Sequence, residues 1–174
     1  KGITYCASCD GPFFIFFYVV VIGGGNAGFE AAAQLLAYCS SVTLLSRGEF
    51  KADPITIEKV LENPKMKAIS FAQPTQIKGD KMVTSIIYNK TAPFATDNIE
   101  IKAEGIFIEI GHLPTTTFVE GVVDLDEFKR IKIDHRTQRT SLSGIWAAGD
   151  CTDILYHQNN IAAGDAVRAL EDIY

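Results

Sequence analysis

Apolar positions recur along the chain with changing periods, and the changes mark its elements. Residues 19–22, Val-Val-Val-Ile, are continuously apolar, as in a strand covered on both faces of a parallel sheet. They end a ten-residue apolar stretch, 13–22, too short to cross a bilayer, which reads as a buried parallel strand against a glycine turn. From 27 to 38 the period changes to helical, with apolar residues at 28–29, 31–33 and 35–37. Residues 42–45 return to strand, and 54–63 read as a second amphipathic helix through Ile55, Ile57, Val60 and Leu61, stopped at Asn63-Pro64. Alternating segments follow at 68–71, 75–78, 83–89 and 99–103, separated by Gly79-Asp80 and a loop over 91–98; together they predict a small antiparallel addition. Residues 105–110 form one more buried strand, ended by Gly111-His112-Leu113-Pro114, a turn signal that serves as a domain border. Beyond it come short strands at 131–134 and 144–148, then a helix over 160–174 with Ala162, Ala163, Ala166, Val167 and Leu170 on its apolar face. The alternation of strand and helix makes the first domain, 1–111, an α/β Rossmann-like domain. Residues 112–174 lack a complete fold of that kind and read as part of a second domain.

Charge and cysteine content narrow the classes. The 174 residues carry a net charge of −5 with no basic stripe, which argues against a nucleic-acid partner, and no segment reads as membrane-spanning. Four cysteines are too few for a disulfide scaffold, and a CxxC pair beside a βαβ pattern fits a reducing compartment, the cytoplasm.

Cys6-Ala7-Ser8-Cys9-Asp10 contains that pair. Two cysteines separated by two residues can close a small disulfide ring, and in such pairs one thiolate attacks a partner disulfide while the other sulfur resolves the mixed disulfide. Asp10 is placed to manage the proton. A structural disulfide or half of a zinc site are the alternatives, but a zinc site needs a second close Cys or His pair, and none is present. Cys39 and Cys151 are isolated and read as simple buried residues, and no metal site is expected.

Thirteen residues on from Asp10 stands Gly23-Gly24-Gly25-Asn26-Ala27-Gly28, between a strand and a helix. Gly23-x-Gly25-x-x-Gly28 in that setting is a dinucleotide-binding turn: the glycines allow close backbone approach to a pyrophosphate, and the helix start supplies free N–H groups. At the end of the second strand, where an acid would read a ribose hydroxyl, this chain has Ser46-Arg47 and then Lys51. A hydroxyl and two cations favour a 2′-phosphate and hence NADPH, while Glu49 in the same loop leaves NADH open.

The motifs Tyr5-Cys6-Ala7-Ser8-Cys9-Asp10-Gly11, the glycine cluster, Ile110-Gly111-His112-x-Pro114, and Thr140-Ser141-x-x-Gly144-Ile145-Trp146-Ala147-Ala148-Gly149-Asp150 stand together in order. Over essentially the whole chain they resemble the low-molecular-weight thioredoxin reductases and the related flavoprotein component of alkyl hydroperoxide reductase. The resemblance implies an NADPH domain inserted into an FAD domain, with electrons passing from nicotinamide through flavin to a Cys6–Cys9 disulfide and on to thioredoxin or a similar dithiol protein. It implies that Cys9 faces the flavin, that Cys6 attacks the partner, and that Asp10 supplies or accepts the proton. It places Gly23, Gly24, Gly25, Asn26, Ala27 and Gly28 at the pyrophosphate, Glu30 near the nicotinamide, and Ser46, Arg47 and Lys51 at the ribose or its phosphate. Ile110, Gly111, Gly149, Asp150, His157, Gln158 and Asn159 fall where the family contacts its cofactors. Residues 112–174 then correspond to the C-terminal part of the FAD domain, whose own Gly-rich turn would precede Lys1, so a longer, homodimeric reductase is expected. Phe14-Ile15-Phe16-Phe17-Tyr18 departs from the family's Lys- and Gly-bearing turn and is expected to expose apolar surface.

Overall fold

Parallel strands take the continuous apolar runs, and the alternating ones build a second, antiparallel layer. The computed structural model describes residues 1–91 and 95–174, which divide into two units, Lys1–Ile110 and Gly111–Tyr174. In the first unit the order is β1 (Ile3–Thr4), α1 (Ala7–Asp10), β2 (Tyr18–Ile22), α2 (Asn26–Leu35), β3 (Ser41–Leu45), α3 (Pro54–Leu61), β4 (Met66–Ile69), β5 (Ala72–Gly79), β6 (Val83–Lys90), β7 (Thr96–Lys102) and β8 (Gly105–Ile108). A five-stranded sheet, β1-β8-β2-β3-β4, is parallel throughout, with Val20 opposite Thr43 on one side and Ile106 on the other. The three remaining strands pair antiparallel as β5-β6-β7.

Strand pleating divides the core in two. Val19 and Val21 of β2, with Val42, Leu44 and Phe107, face the helices and meet Phe29, Ala32 and Leu35 of α2 and Val60 of α3. Val20, Leu45 and Ile106 face the other way and meet Val83, Ile86 and Tyr88 of the antiparallel sheet. A central strand buried on both faces explains why its sequence shows no alternation. Burial of each such side chain is worth about 1.5–3 kcal/mol, so the strand that carries the glycine turn is among the most firmly seated parts of the unit.

The structure corrects several expectations. Of the apolar stretch 13–22 only Tyr18–Ile22 is strand; Gly11–Phe14 is a 3-10 turn, because Pro12 has no N–H to give a ladder. Phe14 turns inward onto Phe107, ring centroids 5.1 Å apart, whereas Phe13 and Phe16 are 78% and 79% exposed, the apolar surface expected there. Phe16 adopts φ +64°, a left-handed conformation costly for a bulky residue. The segment at 68–71, assigned to the antiparallel addition, splits: β4 lies beside β3 in the parallel sheet, and Phe71, at φ +54°, turns the chain into β5. Of the loop expected over 91–98, residues 92–94 lie outside the described residues, and β7 already begins at Thr96.

The second unit contains a 3-10 turn, Thr117–Val119, and one helix, α4 (Asn159–Ile173). The strands expected at 131–134 and 144–148 reduce to isolated bridges, Leu125–Ile131, Ile131–Thr152 and Arg139–Trp146. Aspartate turns take up the backbone there: Asp126 Oδ1 accepts from the N–H groups of Phe128 and Arg130, and Asp134 Oδ1 from those of Arg136 and Thr137. The apolar face read onto α4 is also corrected. Asp165 and Ala169 point inward, whereas Ala163, Ala166, Val167 and Leu170 are exposed. Polar anchors set that rotation: Asp172 accepts from Arg139 Nε and from the Trp146 indole N–H, and Arg168 Nη1 donates to the His135 carbonyl. Among the described residues no helix is long and apolar enough to cross a membrane.

Candidate active site

β1 delivers the chain to the sulfur centre. Cys6 is the N-cap of α1, in extended conformation, and one turn later Cys9 closes a disulfide with it, Cα atoms 5.3 Å apart. Cys6 Sγ accepts the Cys9 backbone N–H at 3.1 Å. A disulfide sulfur carries no proton, so the Ser8 hydroxyl, 3.5 Å from Cys6 Sγ, is the donor of that pair. As residues, Cys9 is exposed and Cys6 half-buried. Asp10 ends the helix: its N–H donates to the Cys6 carbonyl at 3.1 Å, and its carboxylate accepts from the hydroxyl of Thr4 on β1. The sequence alone did not single out Thr4, since a threonine on a short strand is ordinary.

The other two cysteines differ sharply. Burial pushes the Cys39 thiol up to about 11, an effect that Lys65 nearby only partly offsets. Cys151 is half-buried, not fully buried as the sequence suggested, and burial, with the Asp150 charge, raises its thiol too. Neither provides a thiolate at neutral pH. Among the described residues no group of three His, Cys, Asp or Glu side chains is placed to hold a metal ion.

The glycine turn is built by exclusion. Gly23 has φ +141°, and a Cβ there would run into the carbonyl oxygen of Glu109; a Cβ on Gly28 would meet the Gly23 carbonyl. Each glycine thus lets two backbones touch, β2 against β8's exit and α2 against the turn. A Cβ on Gly24 would strike Ser46 Oγ, while around Gly25 nothing lies within 4 Å. Gly25 is also the N-cap of α2 and supplies no side-chain cap, so the first N–H groups of a ten-residue helix open onto clear space. This is room for a pyrophosphate with donors and a positive dipole end facing it. Ala27 and Glu30 are exposed on the first turns of that helix.

The loop after β3 is stitched to this turn. Lys51 N–H donates to the Gly24 carbonyl at 2.7 Å, and Asp53 N–H donates to Asn26 Oδ1 at 2.8 Å. Asn26 therefore uses its carbonyl oxygen on the protein and keeps its amide N–H groups. Ser46 is buried at 4% exposure under Gly24, with its hydroxyl directed to the Glu49 carbonyl, whereas Arg47, Glu49 and Lys51 are exposed at the rim. Ile110, 71% exposed, ends the first unit beyond β8.

In the second unit Gly111, φ +90°, begins an exposed segment. Gly149 is at φ +79°, and a Cβ on it would lie 3.1 Å from Ala162 Cβ, so the Gly149-Asp150 turn packs on the first turns of α4. Exposed Asp150 and the exposed His157, Gln158 and Asn159 at the helix start thus share one end of that unit. Gln158 is the N-cap, without a side-chain cap bond.

The sequence relationships agree with this geometry. Residues 1–166 match the family model described as pyridine nucleotide-disulphide oxidoreductase. The chain is 42% identical over 171 residues to the F subunit of the alkyl hydroperoxide reductase of Escherichia coli (strain K12), covering 97% of this chain and 32% of that protein. It is 38% identical over 172 residues to a thioredoxin reductase of Mycolicibacterium smegmatis, covering 98% and 55%. The crystal structure of thioredoxin reductase from Streptococcus pyogenes MGAS5005 superposes with a TM-score of 0.84 at 29% identity, over the whole chain and 56% of that structure. The chain therefore spans from just under a third to just over half of these proteins. A dithiol helix and a glycine cradle on one parallel sheet, in a chain matched over nearly its full length, belong to the pyridine nucleotide-disulphide oxidoreductase family.

Proposed function

We propose that this chain is the nucleotide- and dithiol-bearing part of a flavoprotein disulfide reductase, which takes reducing equivalents from NADPH and delivers them through Cys6 and Cys9 to thioredoxin or a similar dithiol protein. The observation that carries the reading is the Cys6–Cys9 disulfide on the same sheet as a glycine cradle open at Gly25. When bound, the nicotinamide supplies a hydride and the flavin passes the electron pair to sulfur. Gly24, Gly25, Ala27 and Gly28 would offer backbone N–H groups to the pyrophosphate at the turn and the start of α2, while Gly23, whose N–H is taken by the Leu45 carbonyl, shapes the turn and Asn26 fixes the loop beside it. Arg47 and Lys51 would hold the ribose phosphate, Ser46 supports the turn from below, and Glu30 would serve the nicotinamide end. Residues 112–174 are the C-terminal part of the FAD domain, where Ile110 and Gly111 lead in and Asp150, His157, Gln158 and Asn159 would hold the flavin; their exposed polar groups around an uncapped helix start fit that role.

With flavin bound, Cys9 would be the sulfur that accepts the electron pair, and Cys6 would be released as the thiolate. Cys6 then attacks the partner's disulfide, and Cys9 displaces it to restore the Cys6–Cys9 bond. Asp10, at the end of the same helix, gives and receives the protons. The full-length enzyme is a homodimer of the cytoplasm.

A second reading rests on Glu49 at the rim and on the likeness to the alkyl hydroperoxide reductase protein of Escherichia coli: an NADH-dependent reductase serving a peroxidase system. A third, that these 174 residues alone form a non-catalytic NADP-binding module, rests on the share of the relatives they span. Anaerobic titration of the native-length protein with NADPH and NADH, followed by its flavin spectrum, separates the first two. Replacement Cys6→Ser abolishes disulfide turnover, and retained turnover rejects the proposal. A yellow preparation of the 174-residue chain contradicts the module.

A further inference from the structure

Thr4 is the last residue of β1, 8% exposed, and its backbone is held opposite Phe107 in the parallel sheet. Its hydroxyl is therefore fixed by a rigid element. That hydroxyl donates to Oδ2 of Asp10, across the loop that carries Tyr5 and Cys6. Among the described residues it is the only side chain with a hydrogen bond to the Asp10 carboxylate, whose backbone N–H is taken by the Cys6 carbonyl. Asp10 is half-buried at the end of a four-residue helix, where a carboxylate without an anchor would turn among rotamers.

We propose that Thr4 is a positioning residue of the dithiol centre: its hydroxyl holds the Asp10 carboxylate in the orientation from which protons pass to and from the Cys6–Cys9 pair. The inference rests on the reading of Asp10 as proton carrier. A hydrogen bond to a charged acceptor is stronger than a neutral one, and displacement of a proton carrier by about 1 Å is enough to slow a step greatly. Valine has the same shape without the hydroxyl, so it fills the site in β1 and releases the carboxylate.

The test uses the reduced 174-residue chain and oxidised glutathione, with no flavin. One protein thiolate attacks the glutathione disulfide, forming a mixed disulfide as the glutathione S–S bond breaks and one glutathione leaves. The second protein sulfur then displaces the other glutathione, so the Cys6–Cys9 bond closes. Two electrons and two protons pass from the dithiol to give two molecules of reduced glutathione. Rates are measured across pH for the native chain, Thr4→Val, Thr4→Ser, Asp10→Asn and the double variant Thr4→Val/Asp10→Asn. Asp10→Asn slows closure and changes its pH profile. Thr4→Val slows closure about tenfold and moves its profile toward that of Asp10→Asn. Thr4→Ser keeps the native profile, and the double variant behaves as Asp10→Asn alone. If Asp10→Asn has its effect but Thr4→Val keeps the native profile, or only lowers the thermal midpoint, Thr4 is structural and the inference is overturned while the role of Asp10 stands. Full additivity in the double variant overturns it equally. If Asp10→Asn is silent, the proton role of Asp10 falls, and the inference with it.

Discussion

At the scale of single residues, the cradle holds two glycines required by packing, Gly23 and Gly28, and one, Gly25, beside which space is open. Gly23→Ala and Gly28→Ala each push a methyl into a carbonyl oxygen, and both are expected to lower stability by about 2–4 kcal/mol in denaturant titration as well as to abolish nucleotide binding. Gly25→Ala meets open space at φ −93°. It is expected to leave the unfolding midpoint nearly unchanged while weakening NADPH in calorimetric titration, because its methyl occupies the room left for the phosphates. Arg47→Ala is expected to weaken NADPH about tenfold and NADH hardly at all, since one charge-assisted contact to the 2′-phosphate is lost; equal weakening of both would reject its role at that phosphate. The sulfurs follow the same logic. With Cys39 held at a raised value of about 11 by burial, alkylation at neutral pH leaves it unmodified in the native chain, as mass spectrometry will report.

At the scale of elements, Gly105 begins β8 beneath the ring of Phe14, and a Cβ there would overlap that ring. Gly105→Ala is therefore expected to lower the thermal midpoint by forcing Phe14 off Phe107. Phe16→Gly should raise it, by roughly 1 kcal/mol in stability, because glycine accepts the left-handed backbone that Phe16 is held in. The strand, glycine turn and helix over 18–35 were legible in the sequence because local rules and burial agree there: an unbroken apolar run, an obligatory turn and a helical stripe. β4 was not, since four residues with a period of two say nothing about which sheet receives them. Its pairing is decided by α3, which returns the chain to the edge of β3. Thr4 likewise gains its meaning from a contact six residues on. The rotation of α4 was misread because an apolar stripe suggested the buried side, whereas Arg168 and Asp172 hold the helix through bonds to His135, Arg139 and Trp146.

At the scale of the molecule, the two units have different sensitivities. The exposed segment that joins them, with Ile110 71% and Leu113 93% exposed, is expected to be cut first in limited proteolysis, yielding an N-terminal fragment that ends near residue 110. Acid is expected to act most visibly on the second unit, beside the tryptophan, while Glu100, lowered by its bonds from Lys78 and Ser85, adds a like loss in the first. The bonds from Arg139 and Trp146 hold the Asp172 carboxyl below its ordinary value, and the backbone N–H of Arg136 lowers that of Asp134. Carboxyls lowered by folding stabilise above their unfolded values and lose that contribution as pH falls through their folded ones, so the loss appears below about pH 4. Trp146, the sole tryptophan, reports it by fluorescence, and Asp172→Asn should reduce the change. The coenzyme rim proposed for the loop after β3 has a consequence for redesign. Because the peptide bonds of Lys51 and Asp53 tether that loop to the helix start, exchanging one coenzyme for the other calls for new side chains at 47 and 51 on an unchanged main chain. Coenzyme choice can thus be rewritten without loop grafting.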